Sequence, residues 1–311
     1  MCANIIEAVD LSRFYGKVVG LNQVNATIQS GITGLLGPNG AGKSTFQKIM
    51  IGQIKPSKGE ISTLGQNPWK NLLLYKRIGY CPEYDAFYYG QTGRHFVTSL
   101  VRLYGFSSSE SVKLANEAIK IVEMEGAADR AIGGYSKGMK QRIKFAQAIA
   151  HDPELLIMDE PLAGADPVTR IKLMVLIKDM SKAGKSVIVS SHVLHEIEKI
   201  SPKILLVYQG KVLASGKIHE IRELIYQYPH EVKIKGVEVR KLAEHMLPLS
   251  HIQNISFIKD ENEEEVLYIK TSNPSKFYGQ LPKIIESNKL NVFHISSTDD
   301  NLDSVFRYLI R

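Results

Sequence analysis

Short apolar runs rich in β-branched residues alternate with longer amphipathic stretches over the first 228 residues. Period-two and continuous apolar runs predict strands, and a repeat near 3.6 residues predicts helices. The predicted strands are 31–36, 155–158, 186–190 and 204–208, and the predicted helices are 43–51, 166–182 and 193–200. Buried strands that alternate with helices are typical of an α/β fold with a mostly parallel sheet and flanking helices.

One long segment interrupts this alternation. From residue 87 to 130 the spacing of apolar positions is helical, and no strand-like run separates the helices. We therefore expect an inserted helical subdomain, at about 87–150, within a first domain that spans 1–228.

A second domain, 229–311, is predicted to begin near Tyr228 and Pro229. Its pattern is strand, helix, strand, strand, helix, strand, helix, and the first six elements match the order of a ferredoxin-like α+β domain. These elements are predicted at 231–235, 238–246, 252–258, 266–271, 275–287, 291–296 and 299–310. The acidic residues 260–265 suit a hairpin turn, and Thr298 or Asp299 is available to cap the last helix.

Composition narrows the class of protein. A chain of 311 residues with 44% hydrophobic and 23% charged residues is long enough for two domains, and it is neither collagen-like nor disordered. Cys2 and Cys81 cannot build a disulfide framework, and no CxxC pair offers a zinc site. The first residues lack a signal-peptide pattern, and no apolar run approaches the roughly 20 residues of a membrane span. We expect a reducing compartment and any membrane association to be peripheral.

The net charge of +7 is unevenly distributed. Residues 229–311 hold 11 basic and 12 acidic side chains, so the excess of positive charge lies in residues 1–228. Because lysines and arginines are scattered rather than clustered, a solvated basic surface is favoured over a nucleic-acid footprint. A basic face near anionic lipid headgroups is the other alternative.

A glycine-rich segment follows the first predicted strand and precedes a helix, and it fits the pattern GxxxxGK[ST]. Its residues are Gly37, Pro38, Asn39, Gly40, Ala41, Gly42, Lys43, Ser44 and Thr45. Glycines let successive backbone N–H groups surround phosphate oxygens, and the helix start presents its positive dipole end to the same anion. Lys43 then adds charge at the β- and γ-phosphates, and the Ser44 hydroxyl ligates Mg²⁺. A turn that merely joins strand to helix is the alternative.

Asp159 and Glu160 end the apolar strand 155–158. Such a pair is usually a turn or a helix cap. With a phosphate-binding segment upstream, however, Asp159 lies where a Mg²⁺-binding Walker B aspartate would sit. Glu160 is then free to orient and deprotonate an attacking water.

A third segment discriminates among nucleotide enzymes: Tyr135, Ser136, Lys137, Gly138, Met139, Lys140, Gln141 and Arg142. It resembles the signature of ATP-binding-cassette (ABC) ATPases, and the resemblance extends over about residues 5–225. In that family the serine and glycine of one subunit reach the γ-phosphate held by another, which assigns Ser136 and Gly138 to ATP binding. A generic serine cap ahead of a helix is the alternative for this segment alone.

The same resemblance implies roles for other residues. Tyr15 matches the aromatic residue that stacks on adenine, His192 the switch histidine at the γ-phosphate, and Asp166 the D-loop aspartate. An N-cap before Pro167 explains Asp166 equally well. For His192 the alternatives are a metal pair with His195 and a helix-capping histidine.

Two positions depart from the family pattern. Glu83 lies where a glutamine usually reaches Mg²⁺ and the attacking water. We hypothesise that Glu83 is a catalytic and metal-side ligand, or that it swings away toward a membrane partner. In the signature, Lys137 replaces the first glycine and Met139 the glutamine, which changes the charge balance while Ser136 and Gly138 match.

The resemblance implies a P-loop ABC cassette, with a mostly parallel sheet, an antiparallel β part and a helical subdomain, followed by the ferredoxin-like domain. Its implied activity is Mg²⁺-dependent ATP hydrolysis by a pair of cassettes, either two copies of this chain or this chain and a paralogue. The implied partner is a separate transmembrane permease, at the cytoplasmic face of the inner membrane. The ending at 300–309 resembles that of cassettes serving exporters of drugs, lipids and polysaccharides.

Two other functions stay open at the level of sequence. A soluble ABC ATPase acting on ribosomes or nucleic acid usually carries two cassettes or a coiled-coil insertion, and neither pattern is visible. A nucleotide-gated scaffold without catalysis is disfavoured by the presence of Glu160. We therefore expect no nucleic-acid partner.

Overall fold

The computed structural model describes residues 3–217, 221, 230–260 and 263–297. The chain divides into two compact units, Met1–Lys217 and Ile218–Arg311. The boundary predicted near Tyr228 and Pro229, and the last predicted helix with its caps at Thr298 or Asp299, lie outside the described residues. The division into domains 1–228 and 229–311 stays a prediction.

The first unit contains the following strands and helices, numbered in chain order. The strands are β1 Asn4–Tyr15, β2 Val18–Gln29, β3 Ile32–Leu36, β4 Lys58–Thr63, β5 Ile78–Cys81, β6 Leu155–Met158, β7 Ser186–Ser191, β8 Lys203–Tyr208 and β9 Lys211–Lys217. The α-helices are α1 Lys43–Met50, α2 Leu72–Tyr75, α3 Gly93–Leu103, α4 Ser108–Ile121, α5 Lys137–Ile149, α6 Pro167–Lys182 and α7 Leu194–Glu198.

The larger sheet of this unit has the strand order β5-β6-β7-β3-β8-β9. Its strands are parallel except for β9, which runs antiparallel to β8. Every residue of β6 and β7 is buried, as expected for parallel strands covered on both faces. Because β5, β6, β7 and β3 are parallel, the loops after them meet at one edge, where α/β sheets place their ligands.

The antiparallel part predicted for this fold is the sheet β2-β1-β4. The sequence pattern did not locate its strands, because irregular pairing interrupts the period of two: β1 and β2 change register at four places. One hydrophobic core joins this sheet to the larger one, with Ile6, Leu35 and Phe46 all fully buried within it.

The helical subdomain predicted at about 87–150 is present as α3, α4 and α5, which contact one another. Helix α4 begins with a capping box, in which Ser107 and Glu110 bond reciprocally to each other's backbone N–H. Helix α5 begins at Lys137 with Ser136 as its N-cap. The subdomain therefore holds the signature segment at the start of a regular helix.

The second unit contains β10 His230–Gly236, α8 Val239–Met246, β11 Ile252–Lys259, β12 Glu265–Thr271, α9 Pro274–Ser287 and β13 Val292–Ser297. Its antiparallel sheet has the order β11-β12-β10-β13. This order is the ferredoxin-like arrangement, so the prediction for the first six elements of the tail is confirmed. Apolar residues of both helices and of the sheet, including Leu242, Ile269 and Phe277, form a core of their own.

Within the described ranges, no helix is long and apolar enough to cross a membrane.

Candidate active site

The glycine-rich segment between β3 and α1 forms a cradle around the start of the helix. Gly40 and Gly42 have φ angles of 79° and 108°, in the left-handed region that favours glycine. A Cβ on Gly42 would lie only 2.6 Å from the carbonyl oxygen of Gly20, so the position also requires close backbone approach. Helix α1 starts without a side-chain cap, and its first backbone N–H groups are therefore available to an anion.

Lys43 is the first residue of α1 and is 6% exposed. Its ammonium donates hydrogen bonds to the carbonyl oxygens of Gly37 at 2.6 Å and Pro38 at 3.2 Å. It also lies 3.2 Å from Glu160 Oε1, in an ion pair without hydrogen-bond geometry. The charge of Lys43 is thus held inside the cradle by groups of its own chain.

The sequence indicated a free Glu160, but in the structure two side chains hold its carboxylate. Besides Lys43, His192 contacts it, with 3.0 Å between Nδ1 and Oε2. A carboxylate can only accept, so His192 Nδ1 carries the hydrogen of this bond. Glu160 has a φ of 48°, a conformation that costs free energy in a non-glycine residue and often occurs at functional sites.

Asp159 lies behind Glu160 and is 2% exposed. The Ser190 hydroxyl donates to Asp159 Oδ1 at 2.7 Å and accepts from the Glu160 backbone N–H at 2.8 Å. The Asp159 N–H in turn donates to the carbonyl oxygen of Cys81 at 2.8 Å. Burial raises the pKa of the Cys81 thiol to about 12, so this cysteine is a protonated, inert part of the core.

A cavity of about 380 Å³ opens over the cradle. It is lined by residues 38–45 together with Tyr15, Val18, Val19, Gly20, Glu83 and Glu160. Tyr15 is 42% exposed, and the Arg13 guanidinium lies 4.8 Å from its ring centre. The structure therefore brings Tyr15, Glu83 and Glu160 together with the cradle, whereas Gly37, Asp159 and His192 do not line the cavity.

Ser136, Gly138 and Asp166 form a separate group. The Ser136 side chain is exposed and accepts a hydrogen bond from the Met139 N–H at 3.2 Å. Asp166 caps α6 by accepting from the backbone N–H and hydroxyl of Thr169, and these bonds lower the pKa of its carboxyl. A Cβ on Gly138 would lie 2.8 Å from Thr169 Oγ1 and 3.0 Å from Asp166 Oδ2. The signature thus packs on the start of α6, away from the cavity of its own chain.

The donors at this edge of the sheet fit Mg²⁺ better than a softer ion. They are the Ser44 hydroxyl and the carboxylates of Asp159 and Glu83, all hard oxygens of the kind that bind Mg²⁺ together with phosphates. Among the described residues, no three His, Cys, Asp or Glu side chains cluster as metal ligands, and the pair of His192 with His195 gains no further ligand.

Two residues that hold this site together were not among the predicted site residues. Ser190 bridges Asp159 and Glu160, and the signal for it was a buried serine at the end of an apolar strand. Lys144 donates to the Glu83 carbonyl oxygen at 2.8 Å, and its signal was a lysine on the apolar side of α5.

Comparison with known proteins agrees with this geometry. The family model for ABC transporters matches residues 21–163. The bacitracin transport ATP-binding protein of Bacillus licheniformis is 30% identical over 311 residues, which cover 99% of this chain and 98% of that protein. The Nod factor export ATP-binding protein I of Rhizobium leguminosarum bv. viciae is 30% identical over 278 residues, covering 89% and 87%.

Solved structures show the same fold. An ATP-binding subunit of an ABC transporter superposes with a TM-score of 0.65 at 26% identity, covering 78% of this chain and 99% of that one. A dimeric bacterial ABC transporter cassette superposes with a TM-score of 0.63 at 26% identity, covering 68% and 98%.

Proposed function

Because this chain belongs to the ATP-binding proteins of ABC transporters, which are ATPases, we propose that it powers export through a separate transmembrane permease. In this proposal, ATP and Mg²⁺ are clasped between two cassettes, either two copies of this chain or this chain and a paralogue. The protein then acts at the cytoplasmic face of the inner membrane. The export direction is supported by relatives named for bacitracin transport and Nod factor export.

The observation that carries the proposal is the separation of the two phosphate-directed groups. The cavity is built from the cradle, while Ser136 is exposed at the start of α5 and does not line that cavity. A helix N-terminus with an exposed serine can bind phosphate of a facing molecule, because its first N–H groups point outward. A second cassette would therefore complete each site.

Each residue of the cradle then has a defined task. The first N–H groups of α1 and the Lys43 ammonium bind the phosphates, and Tyr15 stacks on the base. Ser44 and Asp159 would hold Mg²⁺, which would supply positive charge opposite the phosphates. Glu160 accepts the proton of the attacking water, and His192 orients Glu160 through the hydrogen bond at Oε2.

The surface around α2 and α3 supports a permease as partner. Leu72 and Leu73 are each 75% exposed and Leu103 is 81% exposed, so large apolar side chains of both helices face solvent. The end of α3 lies beside the end of α2, since a Cβ on Gly105 would be 3.6 Å from Lys76 Nζ. These apolar side chains suit contact with a membrane-protein loop.

Replacing Glu160 by glutamine tests the proposal. Glu160→Gln should lower ATP turnover about 1,000-fold by removing the base, while ATP binding persists. Light scattering behind size-exclusion chromatography should then show a dimer with ATP and a monomer without it, because ATP affinity and dimer affinity are linked. Glu154→Gln, at an exposed carboxylate that pairs with Arg77, is the control and should turn over normally. A Glu160→Gln variant that stays monomeric with saturating ATP would contradict the clasp.

A further inference from the structure

Helix α5 faces the segment that carries Glu83 with a row of long polar side chains. The side-chain amide of Gln147 donates to the carbonyl oxygen of Tyr80 at 2.7 Å. One turn earlier, Lys144 donates to the carbonyl oxygen of Glu83 at 2.8 Å. The segment therefore runs along the helix that begins at the signature, and it is held there by side chains of that helix.

Lys144 has a second partner in the same segment, since its ammonium lies 3.2 Å from Asp85 Oδ1. Lys140, one turn further toward the signature, lies 3.7 Å from Asp85 Oδ2 and 4.9 Å from the Tyr89 ring centre. The segment from Tyr80 to Tyr89 thus runs antiparallel to α5, with Tyr80 beside Gln147 and Tyr89 beside Lys140.

Among these side chains, Lys144 is the most deeply placed, being 2% exposed. Burying an ammonium group is costly unless charged or polar partners compensate it, so its partners are tightly constrained. Both partners, the Glu83 carbonyl and the Asp85 carboxylate, belong to one short stretch of chain. The buried lysine therefore fixes the backbone between Glu83 and Asp85.

The position of Glu83 gives this contact a consequence for the nucleotide site. Glu83 lines the same cavity as the cradle, while its own carbonyl oxygen points away to Lys144. We propose that Lys144 is a positioning residue, which holds Glu83 so that its carboxylate faces the nucleotide and its Mg²⁺. The inference rests on the proposed function, and it adds that a side chain of α5, the helix that begins at the signature, fixes the Glu83 segment.

The test measures binding of the fluorescent analogue TNP-ATP to the full chain, with saturating Mg²⁺ and with EDTA. Wild type should bind more tightly with Mg²⁺, because the ion lies between the phosphates and Glu83. Lys144→Met should reduce the ratio of the two affinities about fivefold, the effect of one lost hydrogen bond. Glu83→Ala should reduce it similarly, and Lys144→Met in the Glu83→Ala background should reduce it no further.

Lys185→Met is the matched control. Lys185 also joins a main-chain carbonyl, that of Pro153 at 2.9 Å, to an aspartate, Asp152 at 2.6 Å, and it does not line the cavity. This variant should keep the wild-type ratio. If Lys144→Met does not fold, Lys144→Gln replaces it, because the amide retains a donor for the Glu83 carbonyl; this variant should lower the ratio less than Glu83→Ala.

Two outcomes overturn the inference by itself. One is a wild-type ratio in Lys144→Met, or in Lys144→Gln where Lys144→Met does not fold, even if the melting temperature falls, since a merely structural lysine would give this result. The other is an effect of Lys144→Met that adds fully to that of Glu83→Ala. A wild-type chain that does not bind TNP-ATP at all would instead overturn the proposed function, and this inference with it.

Discussion

The cradle around Lys43 and the signature around Ser136 both serve phosphate in our proposal, yet they are built in opposite ways. Lys43 is buried, and it contacts two backbone carbonyls and a carboxylate of its own chain. Ser136 is exposed, and its hydroxyl bonds locally to the N–H of Met139. A group with its partners inside one chain can bind on its own, whereas an exposed cap gains a ligand when a second molecule presents one.

Among the substitutions that test this contrast, that of Lys43 should have the largest effect on nucleotide binding. Lys43→Ala removes a charged donor to the phosphates and leaves Glu160 buried without its ion-pair partner. We expect TNP-ATP affinity to fall by about 2.7 kcal/mol, or about 100-fold. Fluorescence titration measures it, with Lys178→Ala, an exposed lysine on α6, as the control. A Lys43→Ala chain with wild-type affinity would mean that the backbone N–H groups suffice for binding.

Substitution of Ser136 should give a different pattern. Ser136→Ala removes a helix cap, at a cost of about 1 kcal/mol in the free energy of unfolding, and also removes the hydroxyl offered to a facing cassette. We expect the ATPase rate to fall about tenfold, while TNP-ATP affinity of the dilute monomer stays unchanged. Steady-state phosphate release and fluorescence titration separate the two quantities.

Ser107→Ala distinguishes capping from contact between cassettes. Ser107 caps α4 through the N–H of Glu110, so its loss should cost a similar unfolding free energy. The ATPase rate should nevertheless stay near wild type, because Ser107 belongs to no phosphate-directed group. Equal loss of ATPase in Ser107→Ala and Ser136→Ala would indicate that stability alone explains the effect.

The contrast also explains how much the sequence could predict. The cradle and the strand before Asp159 were predicted, and the cap at Ser136 was named as the alternative for its segment, because each depends on residues close together in the chain. The ferredoxin-like order of the tail was predicted for the same reason, since each of its elements has a clear local period.

Contacts between distant residues were beyond such reasoning. The bridge from Ser190 to Asp159, the ion pair of Lys43 with Glu160 and the bond from Lys144 to Glu83 each join a residue in a strand or helix to a residue in a loop far away in the sequence. Whether such side chains meet depends on the order of the strands and on how helices pack. The strands of the antiparallel sheet were missed because their register shifts obscure the period of two.

Tyr15 should show the smallest effect, because an uncharged ring can contribute only stacking to nucleotide binding. Its ring is 42% exposed and lies against Gly20, where a Cβ would be 2.8 Å from ring atom Cε2. Stacking on a base contributes about 1 kcal/mol, so Tyr15→Ala should weaken TNP-ATP binding about fivefold.

Tyr15→Phe keeps the ring and should bind normally. Tyr88→Ala removes a tyrosine that is 72% exposed and outside the cavity, and it should also bind normally. If Tyr15→Ala binds as tightly as wild type, base stacking does not contribute here, and the affinity of the cradle comes from its phosphate contacts. If Tyr15→Phe weakens binding as much as Tyr15→Ala, the hydroxyl rather than the ring contacts the nucleotide. Either result would show that the Tyr15 ring does not stack on the base. The nucleotide contacts made within one chain would then be polar ones, unlike Ser136, which requires a second cassette.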